Sequence, residues 1–190
     1  MALNEEIQLA RDTKATIVPA GEEHMLAAGT KAVVTQALGG SVTIRTEQGL
    51  YRIANADLDT LGESFTQKMR TEERHVVGTV DSEQPFSEDQ VWEAMKRCFD
   101  PEIPVNVVDL GLIYDLQIKK SEARPEAHSV EVKMTLTAQG CGMGPVIADD
   151  VKRNIEALSG VSEAQVDIVW DPPWTPHMIS DAGRKKMGIE

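Results

Sequence analysis

Cys141 stands in the run Thr135-Leu136-Thr137-Ala138-Gln139-Gly140-Cys141-Gly142-Met143-Gly144-Pro145, the setting in this chain best suited to chemistry. Three glycines bracket the thiol and leave it little side-chain cover. Pro145 suits the first turn of a helix, where a missing N–H costs nothing. A cysteine just ahead of a helix N-terminus meets unpaired N–H groups and the positive end of the helix dipole, which favour the thiolate. Asp149 and Asp150 oppose that effect if they point back toward the turn. The sequence therefore predicts a reactive or metal-binding thiol. The competing account is a small cysteine buried in a tight turn.

Other groups are weaker candidates. Asp100, Glu102 and Asp109 share one irregular stretch stiffened by Pro101 and Pro104. They could join Cys141 around a soft or borderline metal such as iron, or simply cap helices and turns. A cysteine hydrolase needs a base held by a third group, and the nearest histidines, His128 and His177, have no supporting context. A lone loop histidine such as His177 is more often solvated. A thiol oxidoreductase prefers a second cysteine at C-x-x-C spacing, which is absent. Cys98 instead falls on an apolar stripe with Val91, Trp92, Met95 and Phe99, which predicts a core position. No phosphate loop, dinucleotide fingerprint or zinc finger is present. Iron–sulfur clusters usually take four thiolates. With one available thiol per chain, a cluster could be held only transiently, across a homodimer, or with a partner's ligands.

The elements that position Cys141 follow from periodicity. Val130, Val132, Met134 and Leu136 alternate with polar residues as a half-buried strand running into the turn. Ile147, Val151, Ile155 and Leu158 recur at helical spacing beyond it, with Gly160 as a stop. Upstream, Ser87 and Gln90 at capping-box spacing open a helix reaching Phe99. Leu112, Tyr114, Leu116 and Ile118 alternate as a strand, and residues 121–128 form a polar loop. Val166, Ile168 and Trp170 mark a third strand; Asp171 to His177 is a rigid segment, and Ser180 caps a short last helix. Helix, strand, strand, helix, strand, helix is a compact α+β domain of about 100 residues.

The first part of the chain reads as β-rich and separate. Lys31 to Leu38, the Gly39-Gly40 turn, Val42 with Ile44, the Glu47-Gln48-Gly49 turn and Leu50 to Ile53 suggest a small SH3-like barrel. His24 is a surface residue there. Leu58, Leu61, Phe65 and Met69, interrupted by Gly62, form a short connecting helix. From Thr71 to Pro85 the chain is polar apart from three valines, which places a β-rich accessory domain at 1–80 and the α+β domain at 81–190.

Composition narrows the function classes. Among 190 residues, 41% are apolar and 26% charged, ordinary for a soluble globular protein. No apolar run is long enough to span a membrane. The first residues carry early acids and no apolar core, unlike a secretory signal. Two cysteines are too few for a disulfide framework, so a cytoplasmic protein is expected. A net charge of −12 argues against nucleic acid, which needs a basic stripe, and favours basic partners.

Three stretches are more specific together. Asp100-Pro101-Glu102-Ile103-Pro104-Val105-Asn106-Val107-Val108-Asp109-Leu110-Gly111-Leu112-Ile113-Tyr114, then Thr135-Leu136-Thr137 with Gly140-Cys141-Gly142-Met143-Gly144, then Val169-Trp170-Asp171-Pro172-Pro173-Trp174 resemble the PaaD-like family of iron–sulfur cluster assembly proteins. The resemblance implies an auxiliary factor that helps place clusters in client proteins alongside other cluster assembly proteins. It implies that Cys141 is the reactive residue. It also implies that Asp109, in the Asp-Leu-Gly-Leu motif, and Thr137 line the same site, with Gly140, Gly142 and Met143 of the turn. A transient iron–sulfur cluster or iron, bound through Cys141, would be the cargo. No turnover is established for the family, so an enzyme is not expected. PaaD itself looks like the carrier of a C-terminal cysteine-rich zinc segment; no cysteine follows Cys141, and no zinc site is expected. Two other functions stay open: a non-catalytic adaptor that recruits clients, and a cysteine-dependent hydrolase or redox enzyme.

Overall fold

Two adjacent glycines make the sharpest turn in the first half of the chain. Gly39 and Gly40 sit at φ 64° and 74°, the left-handed pair that a two-residue hairpin needs. They join β4 (Lys31–Leu38) to β5 (Ser41–Thr46), with Leu38 opposite Ser41. The computed structural model describes residues 4–63, 65–67, 69, 85–121 and 124–189. The chain divides into two compact units, Met1–Asp81 and Ser82–Glu190. The division expected between residues 80 and 81 lies outside the described residues, as does part of the expected 121–128 loop.

The first unit holds β1 (Glu6–Gln8), β2 (Thr13–Val18), β3 (Glu23–Leu26), β4, β5 and β6 (Gly49–Ile53) in one antiparallel sheet ordered β1-β4-β5-β6-β2-β3. Among the described residues no ladder joins β1 to β3, so no closed barrel is described. The core gathers Val34, Val42, Ile44, Tyr51 and Ile53 with Leu58, Leu61, Phe65 and Met69. The expected apolar stripe thus packs on this unit's own sheet. Its first part is a 3-10 helix, Asn55–Leu61. The Arg11 guanidinium fastens that helix by donating to Asp57 and Asp59 at 2.7–2.9 Å. His24 is exposed, with its ring 5.6 Å from that of Tyr51.

The second unit runs α1 (Glu88–Met95), β7 (Ile113–Lys120), β8 (His128–Met134), α2 (Gly144–Glu156), β9 (Val161–Ile168), a 3-10 turn (Pro176–Met178) and α3 (Asp181–Met187). Ser87 and Gln90 form the expected capping box. The three-stranded sheet is ordered β7-β8-β9, with β8 antiparallel to β7 and parallel to β9. A parallel neighbour requires a crossover, and α2 supplies it. Val130, Val132 and Met134 of β8 are at most 1% exposed, as are Val151 and Ile155 of α2 and Val91 and Met95 of α1. The alternating residues Glu131 and Lys133 face outward, paired in register with Gln117 and Asp115 on one side and Gln165 and Asp167 on the other.

Three boundaries differ from the periodicity. Helix α1 stops at Met95 rather than Phe99, because the chain turns so that Val107 N–H can donate to Cys98 O and Phe99 can pair with Asn106. Cys98 is nonetheless core, 3% exposed, and accepts a hydrogen bond from Asn154 Nδ2 at 3.2 Å. Strand β9 begins at Val161 and ends before Trp170, which is 39% exposed. Gly160, at φ 94°, serves the turn into β9 and not the helix end, which Ala157 caps.

Candidate functional site

Sheet register brings the three sequence motifs to one place. Ile113, Met134 and Ile168 form the last rung of the sheet. Because β7 is antiparallel to β8 and β9 is parallel to it, that rung is the start of β7 and the end of both β8 and β9. The segments 105–112, 135–143 and 169–178 therefore emerge from the same edge. Thr135 N–H donates to Leu112 O at 2.8 Å, and Val169 N–H donates to Met134 O at 2.7 Å. These bonds tie each neighbour to the strand that leads into Cys141.

The cysteine turn is tightly made. Gly140 takes φ 83°, a conformation that other residues rarely adopt, although a Cβ there would meet no neighbour. Cys141 N–H lies 3.4 Å from Ala138 O, and Gly144 N–H donates to Cys141 O at 3.1 Å. A Cβ on Gly144 would stand 2.5 Å from Leu136 Cδ1, so this glycine lets the helix start close against the end of the strand. Cys141 is a free, half-buried thiol. Thr137 and Gly142 are half-buried and Gly140 is exposed, whereas Met143, 1% exposed, anchors the turn in the core. The helix offers an anion less than its sequence suggests. Gly144's N–H is engaged by Cys141's own carbonyl, and Pro145 has none.

The three carboxylates of the 100–112 stretch separate. Asp100, 7% exposed, caps a turn by accepting from Glu102 and Ile103 N–H at 2.8 and 2.9 Å. Glu102 faces solvent. Asp109 is a hub: Oδ1 accepts from Ser180 Oγ at 3.0 Å, and Oδ2 accepts from Asn106 Nδ2 at 2.8 Å and Lys186 Nζ at 2.9 Å. Burial works to raise its pKa. The hydrogen bonds from Lys186, Asn106 and Ser180 outweigh it, holding the carboxyl below the ordinary range. Both oxygens thus already have donors within the protein, so as a metal ligand Asp109 would have to give some of them up.

His128 does not approach Cys141 along the sheet. His128 opens β8 while Cys141 follows its end, a separation of ~20 Å at ~3.3 Å per residue. His177 is exposed, and its carbonyl accepts from Arg184. No three His, Cys, Asp or Glu side chains gather as a metal-binding group among the described residues.

Two features escape a sequence reading. The Thr135 hydroxyl is fully buried and, among the described residues, is the one buried side-chain N or O without a hydrogen-bond partner. The partners of Asp109, Ser180 and Lys186, lie 71 and 77 residues away. The only local hint was small residues where the segments touch. Gly111, at φ 71°, has no room for a Cβ beside Met178 O, and Gly183 has none beside Asp109 O.

Comparison with known proteins places this unit. Residues 88–168 match the model of a family described as iron–sulfur cluster assembly protein. The Fe-S protein maturation auxiliary factor YitW of Bacillus subtilis (strain 168) is 35% identical over 102 residues, covering 54% of this chain and 94% of the relative. The Fe-S protein maturation auxiliary factor SufT of Staphylococcus aureus (strain USA300) is 37% identical over 90 residues, 47% of this chain and 96% of the relative. Among solved structures, a domain of unknown function, DUF59, from Bacillus anthracis is 31% identical with a TM-score of 0.48, covering 54% of this chain and 92% of its own. A conserved hypothetical protein from Thermotoga maritima is 35% identical with a TM-score of 0.44, covering 55% and 96%.

Proposed function

This chain belongs to the iron–sulfur cluster assembly protein family as a SufT-like member, and from that premise we propose that it is an auxiliary factor in assembling iron–sulfur clusters or delivering them to client proteins, acting through Cys141. The observation that carries this reading is that three motif-bearing segments leave the same end of the sheet, one of them carrying a free, half-buried thiol. Cys141 is the working group, whose sulfur ligates the cargo or docks the client. Thr137, Gly140 and Gly142 shape the approach to it, and Met143 and Asp109 fix the walls. An iron–sulfur cluster or iron is cargo here. One thiol per chain makes the remaining ligands the client's, another assembly protein's, or a second copy's.

A test is anaerobic activation of an apo client enzyme from ferrous iron, sulfide and thiol, with this protein added in substoichiometric and equimolar amounts. The wild type accelerates activation and Cys141→Ala does not. Equal acceleration by both would refute a role for the thiol. A second reading has its own observation: the unit Met1–Asp81 lies outside the family match. As a β-rich accessory module, it would recruit clients as an adaptor. Equal acceleration by wild type and Cys141→Ala is the result that reading expects.

A further inference from the structure

Strands β7 and β9 flank β8 on opposite sides. The chain leaves β9 at Ile168 and pairs once more with β8 through Val169 N–H. By Pro172 it has reached the β7 side, where the Tyr114 hydroxyl donates to Pro172 O at 2.9 Å and Trp174 Nε1 donates to Leu110 O at 2.8 Å. Residues 169–172 must therefore cross the end of β8, the point where that strand runs into Thr135 and the cysteine turn. Burial along β8 marks the crossing. Leu136 packs toward the helix side, against the position of Gly144, so alternation puts Thr135 on the side of Lys133. Lys133 is exposed, yet Thr135 is 0% exposed.

Beyond the crossing the segment is fastened at Asp109. Ser180 N–H donates to Asp109 O at 2.9 Å. The Ser180 hydroxyl donates to Asp109 Oδ1 while accepting from Gly183 N–H at 3.0 Å, so one side chain both caps α3 and joins the hub. Lys186, near the end of α3, adds its ammonium to Oδ2. The close contacts at Gly111 and Gly183 let the backbones approach far enough for these bonds to form.

We propose that residues 169–187 form a strap across the edge of the sheet that carries Cys141, and that Asp109 is its buckle, a positioning residue that holds the strap shut through Ser180 and Lys186 and so limits access to the thiol. The significance of the strap rests on the reading of Cys141 as the working group. The test reads thiol access rather than client activity, so either can fail alone.

The experiment compares wild type, Lys186→Met, Lys186→Arg and Asp109→Asn. Iodoacetamide labelling at fixed pH is followed by peptide mass spectrometry, which separates Cys141 from Cys98, alongside amide hydrogen exchange. In Lys186→Met, Cys141 labels about fivefold faster, and amides in 109–112 and 172–183 exchange faster. Lys186→Arg, which keeps the charge, stays near wild type, and Asp109→Asn exceeds Lys186→Met. The Lys186 side chain is 48% exposed, so Lys186→Met decides the matter should Asp109→Asn fail to fold. Faster exchange with Cys141 labelling unchanged would overturn the strap as a cover. Unchanged exchange in both Lys186→Met and Asp109→Asn would overturn the buckle.

Discussion

The two ends of the three-stranded sheet are finished in different ways. Where β8 begins, His128 N–H donates to Gly160 O at 2.7 Å and Ser162 Oγ donates to His128 O at 3.1 Å. The imidazole stacks on Phe86 at 4.5 Å. Backbone pairing, one local hydroxyl bond and one ring stack close that end. Where β8 ends, closure needs a carboxylate hub with partners 71 and 77 residues away. It also keeps a free thiol and a buried hydroxyl without a partner. An unpaired buried hydroxyl costs about 1–3 kcal/mol, and a fold selected for stability alone has no use for it. A free thiol and, among the described residues, an unpartnered buried hydroxyl distinguish this end of the sheet from the other.

The contrast predicts an ordered set of stability effects in denaturant unfolding. Gly111→Ala should be the most damaging, at about 3–5 kcal/mol. Its Cβ would lie 2.2 Å from Met178 O at a left-handed φ of 71°. At the opposite end, Gly160→Ala meets Phe86 Cβ at 3.0 Å with φ 94° and should cost about 1–2 kcal/mol. Equal losses would mean that the 111–178 contact is not tight.

Asp109→Ala comes next, at about 2–3 kcal/mol, because it strands donors from Asn106 and Ser180. This loss depends on pH. The Asp109 pKa is depressed in the folded protein. Its contribution is therefore fully present above the unfolded carboxyl value, about 3.9, and disappears as pH falls from there through the folded value. The gap between wild type and Asp109→Ala should be constant from neutral pH to about 5 and narrow below about 4. A gap that widened on acidification would contradict the hub.

The smallest effects sharpen the comparison most. Thr135→Val removes a hydroxyl that has no partner and should be neutral or stabilising by up to about 1 kcal/mol. Ser162→Ala removes a hydroxyl that donates to His128 O and should cost about 0.5–1 kcal/mol. A loss larger for Thr135→Val than for Ser162→Ala would show that the Thr135 hydroxyl serves the fold after all.

Much of the second unit was legible because its signals are local. The alternation of Val130, Val132 and Met134, the helical spacing of Ile147, Val151 and Ile155, and the Ser87–Gln90 capping box each reside in a short window. The glycine-bracketed Cys141 was likewise local, and so was the core position of Cys98. What a sequence reading missed depends on long-range pairing. In the sequence Asp109 can equally be a ligand beside Asp100 and Glu102 or a cap; in the structure Ser180 and Lys186 donate to its oxygens, and nothing within three residues announces them. The stop of α1 at Met95 is set by the pairing of Phe99 with Asn106, which overrides an apolar stripe that continues to Phe99. Gly144 stands in the sequence only as one of three glycines bracketing Cys141, and in the structure it packs closely on Leu136.

The most direct test of the central claim compares the two cysteines in cells that lack the natural gene. Iron–sulfur client enzyme activity would be measured with wild type, Cys141→Ala or Cys98→Ala, each matched for protein abundance. The account predicts that Cys141→Ala leaves client activity at the level of the deletion, while Cys98→Ala, an alteration of the core, restores it. Full client activity with Cys141→Ala would contradict the account and move the working surface away from this end of the sheet.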